Sequence, residues 1–561
     1  MNEAFQRPAS YWLHRAEKVK QQGDAIRAAV LQRHALRAEP HSDAAPMAYA
    51  LTLRQLGCYE ASIREAFRAL AQKPERTPLF GLIGLNLMEL GLKQEGLDAM
   101  NLYLADPPAI PPVWQDEAYD RMDETEREEP PRRRARLDGL LHIAARRAMT
   151  GDLAGASKAL LRTRQKPFAY ANGRRELITA MVKEREGDRE GCAEHVRLAL
   201  QSEPANAQLV ASCASLLWAV GMKRKAKTAL FHAAAVALTP ADELTVCLIS
   251  DQMNAPEAAY ALLKRTLKYS PHRAPACMDM SACLLRMGRL EEALRYAHLA
   301  REIDPDDVPG EVFFTRLQQL AELEPSEEDV RRVAASFSYY GALSQAELTA
   351  SVEPLLGLMN GEPAQMAEKI VTDDYLYRRF LYAQTLPMDW PAALLTAVIP
   401  HLERQQQENI LREVLLQSPK QSLAKRCAAS MLAAMGVKPP YLTWQDGCLG
   451  WMDPTRAPAP SPTFRQRVLT MRIRQAARLC PQNSGFEPFA LRIVSRMGEA
   501  ERRQLLNDSL RIWPAALAIY YRMRAGLTPP RVHSLDPLRQ QALLLAMQTI
   551  EEIDLWEGDS V

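Results

Sequence analysis

Residues Ala274–Asp307 read APACMDMSACLLRMGRLEEALRYAHLAREIDPDD, and this stretch decides the fold. Before Gly288, the residues Met280, Ser281, Leu284 and Leu285 recur at the three-and-four spacing of one helical face. After it, Leu290, Ala293, Leu294, Ala297 and Ala300 do the same, and Pro305 ends the run. The stretch is therefore two short helices joined at Met287-Gly288-Arg289. Such a pair carries two apolar faces and cannot bury both alone, so it needs neighbours of its own kind.

The rest of the chain supplies them. Gly23, Gly57 and Gly91 are 34 residues apart, as are Gly187 and Gly221; Asn254 follows 33 later and Gly288 another 34 later. Seven residues before these turns lie Ala16, Ala50, Gly84, Ala180, Ala214, Cys247 and Ser281. Five after them lie Ala28, Ser62, Gly96, Cys192, Ala226, Ala259 and Ala293. Small side chains at both places let paired helices approach closely. A further unit surrounds Gly151, with Ala144 before it and Ala156 after, which makes eight. The unit at Asn254 lacks the turn glycine and is expected to be distorted.

A recurring 34-residue helix-turn-helix with these small positions and a closing proline resembles the tetratricopeptide repeat over about residues 9–307. Trp12 and Phe80 stand where that family favours a large aromatic, whereas the unit at Asn254 has Glu243 there. The resemblance implies an all-α solenoid whose first helices line a concave groove. On that mapping the groove holds Met47, Leu51, Leu85, Met88, Leu177, Met181, Trp218, Leu248, Met278 and Leu285, an apolar, methionine-containing lining. Such a lining suits an apolar peptide or an amphipathic helix. Arg54 and Arg174 are isolated there, so a carboxylate-gripping groove is not expected.

The spacing from Gly91 to Gly151 is 60, which is 26 more than one period. The excess is a proline-bracketed segment with eight carboxylates between Asp116 and Glu129, read as a solvated linker. The chain then divides into repeats at 1–107, a charged linker at 108–136 and a second array at 137–307. After Asp307 the repeat fades into an irregular helical region, 308–436. Residues 437–462 read as a loop or small hairpin turning at Asp446-Gly447, followed by a proline-rich connector. Helices resume over 463–561.

Lys plus Arg is 70 and Asp plus Glu 68, so no global field argues for a polyanionic partner. Nine cysteines without a CxxC pair, several on apolar positions of the array, suggest a reducing compartment, and the expectation is a cytoplasmic protein. No run approaches the length of a membrane span, so no membrane partner is expected. Neither a phosphate-binding glycine loop nor a metal-spaced His/Cys set nor a nucleophile motif is written in the chain, so no catalytic residue, metal or cofactor is expected. The function expected is a non-enzymatic scaffold binding a protein or peptide. The alternative is a regulator contacting nucleic acid through Arg467, Arg474 and Arg478, which share one face of an acid-free helix.

Overall fold

The computed structural model describes residues 7–39, 44–105, 112, 114–118, 120–121, 132–164, 172–359, 361–386, 388–417, 422–445, 448–453, 473, 476, 485–498, 501, 505, 512–527 and 537–555. The repeats form helix pairs: α1 Ala9–Gln21 with α2 Ala25–Ala38, α3 Ala44–Gln55 with α4 Tyr59–Gln72, and α5 Thr77–Glu89 with α6 Lys93–Ala105. Five more pairs follow: α7 Arg132–Met149 with α8 Leu153–Arg164, α9 Asn172–Arg185 with α10 Arg189–Ser202, α11 Ala207–Ala219 with α12 Lys223–Val236, α13 Pro240–Gln252 with α14 Pro256–Tyr269, and α15 Ala274–Arg286 with α16 Leu290–Ile303.

Each turn glycine takes a left-handed conformation, with φ of +77° to +88° from Gly23 through Gly288. A residue with a Cβ is disfavoured there, which is why the period is legible as glycine. At Gly288 the amide donates to the Leu285 carbonyl (2.9 Å) and the following Arg289 amide to that of Leu284 (2.9 Å). These bonds satisfy the carbonyls a helix leaves open at its end. Asn254 corrects the expectation of a distorted unit. It adopts φ +47° and repeats the same pair of bonds, to Asp251 (3.0 Å) and, from Ala255, to Ser250 (2.8 Å). Asparagine tolerates the left-handed region well enough to replace glycine.

The small positions lie at the helix crossings and are buried throughout the described pairs. Where serine stands, its hydroxyl bonds across the crossing: Ser62 Oγ donates to the Ala50 carbonyl (2.6 Å) and Ser281 Oγ to that of Ala293 (2.7 Å). Gly84 and Gly96 face each other so closely that a Cβ on either would come within 2.9 Å of the other's carbonyl oxygen.

Helices continue past Asp307: α17 Val308–Glu322 packs on α16 and α18 Glu327–Ala334 on α15, and Glu324 between them occupies the left-handed region at φ +47°. On α17, Val312, Phe313, Leu317 and Leu320, at the spacing of one helical face, are buried. Beyond it come α19 Gln345–Leu358, capped by a Ser344/Glu347 box, then α20 Pro363–Thr372, α21 Asp374–Ala383, α22 Trp390–Val398, α23 Arg404–Leu416 and α24 Leu423–Ala434. The hairpin forms as β1 Tyr441–Gln445 paired antiparallel with β2 Cys448–Met452; Gln445 faces Cys448, so two residues link the strands. Helices α25 Phe486–Arg496, α26 Ile512–Arg524 and α27 Pro537–Leu555 follow.

The chain forms two compact units. The first comprises residues 1–65, 89–91 and 133–404. In it, the first two repeats lie against the eighth: the Cys58 thiol of the second donates to the His272 carbonyl (3.1 Å), Arg64 of the second pairs with Asp304 (2.6 Å) and Arg33 of the first with Asp306 (3.7 Å). The second unit comprises residues 66–88, 92–132 and 405–561. There the inserted segment sets Trp114 against Gly81 and Tyr103, burying Trp114 and Ala118. Trp444 of the hairpin stacks on Phe67 (5.2 Å), and Asp554 of α27 is buried, accepting from Arg492 (3.3 Å), Tyr520 (3.2 Å) and Arg524. Most of the acidic run and the proline connector lie outside the described residues.

Candidate functional site

The first helices α9, α11 and α13 present one face made of Leu177 and Met181, then Trp218, then Leu248. Leu177, Met181 and Trp218 are half-buried, whereas Leu248 is 41% exposed. Polar groups interrupt this face. Ser215, one turn before Trp218, donates to Gln252 Oε1 (2.9 Å), and Gln252 is one turn beyond Leu248. The Lys223 ammonium lies 5.3 Å from the Trp218 ring, a cation–π geometry that keeps a positive charge at the edge of the apolar surface. The face is therefore more mixed than the list of apolar residues implies.

One repeat on, the surface is covered by the protein's own chain. The connection between α18 and α19 enters the face formed by α13 and α15. Its Tyr339 ring lies under the Arg286 guanidinium (4.4 Å), whose Nη2 also donates to the Phe337 carbonyl (2.9 Å). The Tyr340 amide donates to Asp279 Oδ1 (2.6 Å), and Gly341 packs on Leu244. Asp279 and Arg286 are seven residues apart, two turns of one helix, so they share a face. Asp251 of α13 holds Arg286 from the side, accepting from Nη2 at 3.1 Å.

Of the residues expected to line the groove, Met278 and Leu285 stand beside Asp279 and Arg286 and are buried, Met278 partly by Gly310 of α17. A ligand does not reach them in this structure. Met47 and Leu51 on α3 are half-buried. In the second unit Leu85 is buried, and Met88 lies over Gly96 of its own repeat, so both are committed to the crossing of α5 and α6. Leu177 and Trp218 are half-buried against the core of their repeats, Met181 is half-buried and Leu248 is exposed. Arg467, Arg474 and Arg478 lie outside the described residues.

Beneath the covered face runs a buried polar cluster that sequence reading missed. Glu243, the residue in the aromatic place, accepts from Arg273 (2.5 Å) and from Thr266 (2.7 Å), with Glu243 and Arg273 both buried. Burial pushes the Asp279 carboxyl up to about 7, against the pull of the Tyr340 amide and Arg273. Burial likewise raises Glu60, again opposed by Arg273. Asp307 is pushed up to about 7 by burial and by Asp304, while its carboxylate caps α17 at the Gly310 amide (3.1 Å). The only sequence signal for this cluster was the odd Glu243, and a period cannot say which distant cation answers it.

These groups do not assemble a reaction centre. The buried thiols of Cys58, Cys213, Cys277 and Cys283 are pushed up to about 12 by desolvation and stay protonated, the opposite of an activated nucleophile. Among the described residues no three or more His, Cys, Asp or Glu side chains converge to hold a metal, and no helix is long and apolar enough to cross a membrane.

Stacked helix pairs with left-handed turns, small crossings and a shared first-helix face define a helical-repeat solenoid. Residues 252–309 match the family model described as tetratricopeptide repeat. No curated protein matches it. Similar solved structures include PilF of Pseudomonas aeruginosa, at 18% identity over 35% of this chain and 88% of that one with a TM-score of 0.24. The tetratricopeptide domain of P58(IPK) shows 14% identity over 56% and 99%, TM-score 0.23. Yeast Tom70 shows 11% identity over 98% and 96%, TM-score 0.20. Likenesses at this level say nothing of partner.

Proposed function

We propose that the protein is a non-enzymatic interaction scaffold that takes an apolar peptide or helix on the first-helix face at Leu177, Met181, Trp218 and Leu248. The observation that carries this reading is the exposure of Leu248 on the helix packed next to the one that bears half-buried Trp218, since a large aromatic set among smaller apolar groups is the usual anchor of a binding surface. Its free, buried thiols suit a reducing compartment such as the cytoplasm.

The test is capture from a lysate of the source cell by the intact protein and by Trp218→Ala side by side, with nuclease treatment, at low and high salt. A protein retained by the parent at high salt and lost with the variant, at unchanged helicity, supports the reading. Equal capture by both removes Trp218 and its face from the account.

A further inference from the structure

The connection from α18 to α19 is ten residues long and irregular, with Ala335, Ser336 and Gly341 exposed, yet its middle is seated on α13 and α15. The seat reads backbone as much as side chain. Arg286 takes the Phe337 carbonyl and the Tyr339 ring; Asp279 takes the Tyr340 amide; Leu244 meets Gly341. In an amphipathic helix those amide and carbonyl groups would already be spent on intrahelical bonds, so a helix offers this seat nothing to hold. A chain outside a helix leaves them free, as here, where the Ala342 amide turns back to the Tyr339 carbonyl (2.9 Å) and the Phe337 carbonyl and Tyr340 amide face the seat.

We propose that residues 336–342 are a tethered occupant of this face, and that the same seat takes a non-helical, turn-forming peptide of like chemistry. That peptide places an aromatic side chain over the Arg286 guanidinium and delivers the next backbone amide to Asp279. The proposal rests on the reading that the first-helix face is the binding surface, and it selects a turn-forming ligand over a helical one. The neighbouring Leu248 and Asp251 continue the seat along α13, so a longer ligand runs from one part of the face to the other. Because the tether holds the seat most of the time, the parent protein binds such a peptide more weakly than the bare seat by the fraction of time the connection is away.

The probe is a fluorescein-labelled peptide of residues 335–343, ASFSYYGAL, followed by anisotropy with the full-length protein. The comparison is a full-length variant in which residues 336–342 are replaced by alternating glycine and serine. The expected result is binding about tenfold or more tighter to the replaced protein than to the parent. Adding Arg286→Ala to the replaced protein abolishes the gain, and adding Leu238→Ala, on the exposed connection between α12 and α13, leaves it unchanged; the peptide assay reads the seat and the lysate capture reads Trp218, so the two failures are distinct. Equal affinity for parent and replaced protein, or a gain that survives Arg286→Ala, overturns the proposal. Should the replaced protein lose its helical signal, hydrogen exchange of the parent decides. Exchange of the Tyr340 amide through a local opening insensitive to low urea supports the tether. Protection of that amide to the level of the α15 amides overturns it.

Discussion

Replacing Arg273 by methionine keeps the length of the side chain and removes the cation that three carboxyls face. Glu243 accepts from its guanidinium at 2.5 Å, and Glu60 and Asp279 feel its charge without bonding to it. Arg273 and Glu243 are both buried, so water does not take over when one partner is deleted. Removing one member of a buried pair destabilises by about 3–5 kcal/mol. The complementary Glu243→Gln keeps a hydrogen-bond acceptor and leaves Arg273 with two other carboxyls nearby, so its loss is smaller, about 1–2 kcal/mol. The pH dependence has a definite sign. Glu60 and Asp279 both stand above their ordinary values in the folded protein, held down in part by Arg273. Without the arginine they rise further, and folded groups with raised carboxyl values lose stability as pH climbs from the unfolded value through the folded one. Urea unfolding followed by far-UV circular dichroism at pH 5 and pH 8 therefore shows a larger gap between Arg273→Met and parent at pH 8. A variant within about 0.5 kcal/mol of the parent at pH 8 refutes the reasoning, because that is the range of substitutions that touch nothing buried. So does a penalty equal at both pH values.

Asp279→Asn keeps the acceptor for the Tyr340 amide and removes the titration: since the carboxyl stands at about 7 rather than 3.8, the parent carries a cost approaching roughly 4 kcal/mol at pH 8 and none at pH 4. The asparagine variant is accordingly more stable than the parent at pH 8 and equal to it at pH 4 by the same unfolding assay. Glu324→Gly relieves a left-handed side-chain residue and raises the unfolding midpoint by an amount equivalent to about 1 kcal/mol; a lowered midpoint argues that the Glu324 side chain matters more than its backbone. Gly84→Leu drives a side chain toward Met100 and the Gly96 carbonyl, 2.7 and 2.9 Å from where its Cβ would stand, and destabilises by about 3 kcal/mol or more; an unchanged midpoint shows that α5 and α6 can separate freely.

What could be read from the sequence is what recurs. The left-handed turn demands glycine and the helix crossing demands a small side chain, so both demands print themselves every 34 residues and place the pairs through α16. The Asp446-Gly447 turn between aromatic runs likewise announces its hairpin, because a two-residue connection of that kind restricts the residues that fit. The left-handed turn between α17 and α18 was hidden because glutamate fills it and removes the glycine signature. Glu243 looked like a lapse in the aromatic position, yet Arg273, 30 residues on, makes it half of a buried ion pair. The covered part of the first-helix face was equally illegible. Met278 is met by Gly310, and its neighbour Asp279 by the Tyr340 amide, 61 residues away in a segment with no periodicity. The same holds for Arg64 and Asp304, which meet across 240 residues. Local patterns record what a helix needs from its neighbour, and leave unrecorded which remote surface arrives to cover it.

The central claim is that the first-helix face is open to a partner at Leu248 and closed at Leu285. A photo-crosslinking residue placed singly at 248, at 285 and at 238, the last an 87%-exposed position on the connection between α12 and α13, tests it in lysate of the source cell. The account predicts a discrete protein adduct from position 248, competed by the unlabelled ASFSYYGAL peptide at high concentration, and none from 285 or 238. Adducts from 238 with none from 248 would contradict it and move the binding surface off the first-helix face.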